Sequence, residues 1–194
     1  MAKDRSELAT HYYSIEEYFG LEEASDARFE YWDGDVVCMS GGTRWHGTIS
    51  GNVYASLALA ARGGPCRAFT ADTAIWTPTL PPYRYPDASV GCGELQFKRV
   101  RSLDALVNPV LIVEVLSPST ETQDREAKFA AYQALPSFRE YLLIAQDEVR
   151  LTHYTRQTGG VWLRQDRADL GGSLSLSSIA CVLHLKDVYD GVVF

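Results

Sequence analysis

NPVLIVEVLSPST, residues 108–120, decides how this chain of 194 residues is read. From Val110 to Leu116 every residue is apolar except Glu114. Val110 and Ile112 alternate against Leu111, Val113 and Val115, so both faces are apolar, the pattern of a central strand covered on both sides. The run is short and β-branched, and Asn108-Pro109 and Ser117-Pro118 bound it, which selects strand over helix. An ionised carboxylate in such a strand costs several kcal/mol unless it is paired. Glu114 therefore requires a cation, either a lysine or arginine or a metal ion.

Outward from this strand, helices and strands alternate. Ser14 and Glu17 fit a capping box at the start of a helix over 14–23. Phe29–Trp32, Asp33-Gly34 and Asp35–Met39 read as a hairpin around a tight turn. Ile49, Val53, Leu57 and Ala60–Ala61 recur at helical spacing between His46 and Arg62, ahead of Gly63-Gly64-Pro65. Strands are expected at 67–76, 85–92, 110–116, 140–145, 149–154 and 161–167. Thr120 and Gln123 suggest a capped helix over about 122–134. The expectation is one domain spanning 1–194, of mixed α/β (α+β) class, with a mixed central sheet flanked by helices.

Composition narrows the function. The hydrophobic share of 46% suits one real core, and the net charge of −7 argues against a protein that coats nucleic acid. An enzyme that grips nucleic acid through a local groove and a metal remains compatible with it. No apolar run approaches the ~18 residues of a membrane span, and the charged start Met1–Glu7 lacks the apolar stretch of a secretion signal. Cys38, Cys66, Cys92 and Cys181 form no CxxC and are expected as free or buried thiols in a cytoplasmic protein. The four histidines show no zinc spacing. Gly41-Gly42-Thr43 and Gly91-Cys92-Gly93 complete no phosphate loop, and no serine nucleophile elbow is present.

Four polar residues stand out: Glu30 in the hairpin, Asp87 after Pro86, Glu114, and Lys128, which shares a helix face with Asp124 and Tyr132. Two carboxylates on neighbouring strands with one lysine are the minimum for metal-assisted phosphodiester hydrolysis, since Mg²⁺ takes one or two carboxylates and completes its shell with water and phosphate. Each also has a bland reading: a solvated hairpin acid, a strand-entry aspartate, an i,i+4 ion pair. Arg84, Lys98, Arg99 and Arg101 form the positive cluster nearest in sequence, readable as a solvated loop.

YPDASV (85–90), Glu114–Ser119 and Asp124-x-x-x-Lys128-x-x-x-Tyr132, in that order, resemble the Uma-two-like family of restriction-endonuclease-like proteins, within the PD-(D/E)XK nuclease superfamily. The resemblance extends from YSIEEYFGLEE (13–23) through RFEYWDGDVVCMS (28–40) to the last strands. It implies a restriction-endonuclease-like core and cleavage of DNA with Mg²⁺ (or Mn²⁺). Asp87 and Glu114 would be metal ligands, joined by the Val115 carbonyl, and Glu30 would sit on metal or water. The superfamily lysine, two residues after the second acid, is here Leu116, and Lys128 on the next helix takes its place. Cutting both strands would suit a homodimer. The alternative is a degenerate nuclease fold that binds or scaffolds without catalysis.

Overall fold

The computed structural model describes residues 11–39, 42–118 and 120–194; Met1–Glu7, Gly41 and Ser119 lie outside these. By their contacts the described residues fall into two compact units, one within 1–41 and one within 42–194.

In the smaller unit, α1 (Ile15–Ala24) starts with the expected capping box: the Glu17 amide donates to Ser14 Oγ at 3.2 Å and the Ser14 amide to Glu17 Oε2 at 2.7 Å. β1 (Phe29–Trp32) and β2 (Asp35–Cys38) pair antiparallel around Asp33 and Gly34, whose φ angles of 44° and 96° are the positive pair such a turn demands. Buried Tyr18 ties helix to hairpin through its hydroxyl, which donates to the Phe29 carbonyl.

The larger unit begins with α2 (Arg44–Ala61), capped by Thr43. β3 (Cys66–Thr70), β4 (Ile75–Trp76), β5 (Tyr83–Arg84), β6 (Ala88–Cys92), β7 (Phe97–Val100), β8 (Leu103–Leu106) and β9 (Pro109–Leu116) follow. One helical run then comprises α3 (Glu121–Gln123), a π-helical turn (Asp124–Lys128) and α4 (Phe129–Gln133). β10 (Glu140–Ala145), β11 (Leu151–Arg156), β12 (Trp162–Arg167), β13 (Ser173–Leu176), β14 (Cys181–His184) and α5 (Leu185–Val188) complete it.

The main sheet has the order β12-β11-β10-β9-β6-β3, parallel between β9 and β10 and antiparallel elsewhere. The strand that carries Glu114 is thus central, as its two apolar faces require. Leu111, Val113 and Val115 join Ile49, Val53 and Leu57 of α2 in one apolar layer. On the other face Ile112 and Leu116 pack with Phe129, Tyr132, Phe138 and Tyr141. A mixed sheet flanked by helices is what the sequence predicts.

Four local expectations need correction. Cys66 and Cys92, expected as thiols, face each other in the β3–β6 register and form a disulfide; Cys38 and Cys181 are free. Thr120 makes no side-chain cap because its backbone is helical (φ −118°, ψ −10°); its hydroxyl donates to Asp124 Oδ2 at 2.8 Å. The helix it precedes contains a π turn, which apolar spacing does not reveal. The positive cluster is not one solvated loop. Arg84 is buried and donates to the carbonyls of Pro81 and Tyr83, while Lys98 and Arg99 lie on the β7–β8 hairpin, where Arg99 pairs with Asp104.

A second buried carboxylate shows how the fold satisfies acids without metal. Glu140 on β10 accepts the amides of Ser177 and Ser178 at 3.1 and 3.0 Å and the hydroxyls of both serines, and it lies 3.2 Å from His153 Nε2. Burial works against its charge, but the His153 and Ser178 hydrogen bonds outweigh that and hold its pKa below 4.5. A depressed folded pKa means the stabilisation is fully present above the ordinary carboxylate value and is lost as pH falls through the lower, folded value. Glu140→Gln should therefore cost about 1.5–3 kcal/mol at neutral pH and progressively less in acid, read from urea midpoints across that range.

Candidate catalytic site

Asp87, Glu114, Val115 and Lys128 meet at the C-terminal end of β9. Register brings Ala88 opposite Val113, so Asp87, one residue earlier on β6's approach, comes level with Glu114. The Val115 amide donates to Asp87 Oδ2 at 2.6 Å, a strand amide given to a side chain instead of the ladder. His46 Nε2 lies 3.4 Å from Asp87 Oδ1. The Thr43 cap sets this histidine in place by accepting the His46 amide at 3.1 Å.

Glu114 is 2% exposed and Lys128, also 2% exposed, donates from Nζ to its Oε2 at 3.1 Å. Tyr132 donates to Glu114 Oε1 at 3.1 Å. The same ammonium lies 3.0 Å from Asp124 Oδ1, one turn back on the π segment. Asp124 is held in turn by the Thr120 hydroxyl, itself 2.9 Å from Ser117 Oγ, and its main-chain carbonyl accepts from Tyr141 at 2.8 Å. Burial, then the charge of Glu114, pushes the Tyr141 phenol well above the ordinary value, so it stays a neutral donor.

The charge balance of this cluster is negative. Asp87, Glu114 and Asp124 stand against one ammonium and one titratable imidazole. The imidazole responds: burial alone would depress His46, but the Asp87 carboxylate, with the Val115 carbonyl and Asp124, outweighs it and lifts His46 above the ordinary histidine value. Among the described residues no group of three or more His, Cys, Asp or Glu side chains is placed to hold a metal by itself. A cation here would rely on two carboxylates, a main-chain oxygen, water and substrate. That hard-oxygen set with excess negative charge suits Mg²⁺, which seldom uses an all-protein cage.

The family model described as "Uma2: Putative restriction endonuclease" matches residues 15–185. The chain belongs to the Uma2 family. Similar proteins include two from Synechocystis sp. (strain ATCC 27184 / PCC 6803 / Kazusa). "Uncharacterized protein slr1290" is 34% identical over 93% of this chain and 93% of its own length, and "Uncharacterized protein sll1609" is 33% identical over 76% and 82%. A crystal structure described as "a putative nuclease belonging to DUF820", from Anabaena variabilis ATCC 29413, matches with TM-score 0.71 at 18% identity, covering 93% of this chain and 99% of that one. At that identity the likeness shows a shared fold.

Within this Uma2 chain, the structure brings Asp87, Glu114, Val115 and Lys128 together inside residues 42–194. Glu30 is buried on β1 of the smaller unit. Three residues of the cluster had no role from sequence. Asp124 and Tyr132 were legible as neighbours of Lys128 on one helix face, and their spacing was the available signal. His46 carries only the cap signal Thr43-x-x-His46, which places it at a helix start and says nothing of Asp87. Among the described residues no helix is long and apolar enough to cross a membrane.

Proposed function

We propose that this Uma2 chain is an endonuclease that hydrolyses DNA phosphodiester bonds with Mg²⁺ (or Mn²⁺). The supporting observation is the convergence of Asp87, Glu114 and Lys128 at one strand end, with negative charge in excess. In this reading Asp87, Glu114 and the Val115 carbonyl hold the ion. When bound, the ion lowers the pKa of a coordinated water and offsets charge on the phosphoryl oxygens.

The chain's own groups have distinct tasks. The Val115 amide fixes the Asp87 carboxylate, and His46 steadies its other oxygen. Lys128 holds Glu114 and offers positive charge beside the attacking water and the phosphate. Tyr132 and Thr120 fix the two acids that orient Lys128. Cleavage of both strands would use two copies related by a twofold axis, and the chain would work on DNA in the cytoplasm.

One observation favours a second reading. Glu114, Asp124, Lys128 and Tyr132 already bind one another and are buried, as a purely structural ion network would be. The fold would then bind or scaffold without catalysis. Incubating purified protein with supercoiled and single-stranded DNA separates the two. The nuclease reading expects strand breaks with Mg²⁺ or Mn²⁺ and none in EDTA. Intact DNA under every metal condition would establish the second reading in its place.

A further inference from the structure

Beside the carboxylate cluster, above the parallel ends of β9 and β10, is an open pocket of about 280 Å³. Trp45, Leu116 and Pro118 supply apolar lining. Glu121, Gln146, Asp147 and Arg150 supply polar lining. Gln146 is pinned: its amide donates to the Leu116 carbonyl at 2.9 Å, and its oxygen accepts from the Thr43 hydroxyl. Arg44 lies over the Trp45 ring, 4.0 Å from its centroid, so a cation covers one face of that indole.

We infer that this pocket receives one unpaired nucleobase of single-stranded DNA, next to the proposed cleavage site. The inference rests on the nuclease reading and deepens it by naming the strand state of the substrate. An aromatic side chain and hydrogen-bonding groups lining one recess match a base, which has a π face and polar edges. Arg44 and Arg150 offer positive charge to the flanking phosphates. The pocket opens beyond the C-terminal ends of the parallel pair β9 and β10, between the starts of α2 and α3. At about 280 Å³ the pocket falls just below the roughly 300–1,000 Å³ of drug-sized ligand sites, room for one heterocycle. A base inside a duplex cannot enter such a recess without leaving its stack. Leu116 follows Glu114 by two residues, so a base seated here belongs to a nucleotide near the phosphate under attack.

Binding is measured by fluorescence anisotropy in EDTA, where cleavage does not intervene. The probes are a labelled single strand, the same strand annealed to its complement, and the same strand with abasic residues throughout. The single strand should bind about tenfold tighter than the duplex and than the abasic strand. Trp45→Ala should erase that preference, and Trp45→Phe should keep most of it. Equal affinity for the three probes in the wild type would overturn the inference. So would an unchanged preference in Trp45→Ala protein that melts at the wild-type temperature. The probe series uses wild-type protein, so it decides the matter even if Trp45→Ala fails to fold. Cleavage with Mg²⁺ is scored separately: base preference without cleavage sinks the nuclease reading and leaves the pocket, and cleavage without base preference does the reverse.

Discussion

Replacing Lys128 by methionine should lower the stability of the folded chain by about 3–5 kcal/mol. The ammonium is the shared partner of Glu114 and Asp124 at 3.1 and 3.0 Å, and all three are at most 2% exposed. Methionine fills a similar volume, so packing changes little. What changes is that two carboxylates stay buried close together without the cation, and that penalty exceeds any apolar gain. Folded domains are stable by about 5–15 kcal/mol, so the loss is a large share of the total. Urea unfolding measures it. Neutralising the acids as well, in Lys128→Met with Glu114→Gln and Asp124→Asn, should restore more than half of the loss. A single substitution costing under about 1 kcal/mol would mean that the network is solvated and contributes as surface pairs do.

Asp87→Asn should do the opposite: little to stability, much to activity. The asparagine oxygen can still accept the Val115 amide, now received by Asp87 at 2.6 Å, so the strand end keeps its geometry. The negative charge is lost, and with it the ligand proposed for the metal. DNA cleavage should fall at least about a hundredfold while the urea midpoint stays near that of the wild type. The contrast between the two variants matters, because Lys128 mixes structural and chemical roles and Asp87 separates them. Undiminished cleavage by Asp87→Asn protein would remove this carboxylate from the chemistry.

Much of the architecture was legible because its signals are local. The Ser14–Glu17 box, the Asp33-Gly34 turn, the four-residue rhythm of Ile49, Val53 and Leu57 and the two-faced run of 110–116 each fix an element within a few residues. Glu114 was conspicuous for the same reason: one charge in an apolar run needs a partner, and Lys128 is the partner found. What escaped depends on contacts between distant residues. Nothing near Cys66 announces Cys92, and nothing near His46 announces Asp87; only the paired strands and the helix start bring each pair together. Thr120 carried a capping pattern, but its backbone is helical (φ −118°, ψ −10°) and not in the extended conformation of a capping residue. The β7–β8 and β13–β14 hairpins have strands of four residues, like β1 and β2, but no Asp-Gly turn announces them.

The site was half legible. Order and spacing singled out Asp87, Glu114 and Lys128, because buried charge is costly enough to stand out in a sequence. They could not show that Lys128 answers two acids, since Asp124 on the same helix also reads as an ordinary surface i,i+4 partner.

The account stands or falls on whether the end of β9 holds a divalent cation. Crystals of the wild-type protein soaked in Mn²⁺, with data collected at the manganese absorption edge, locate the ion directly. The expected result is an anomalous peak in coordination contact with the carboxylates of Asp87 and Glu114 and with the Val115 carbonyl, absent in Asp87→Asn crystals. Density with no such peak, with Glu114 still closed upon Lys128 and Tyr132 at saturating Mn²⁺, would contradict it.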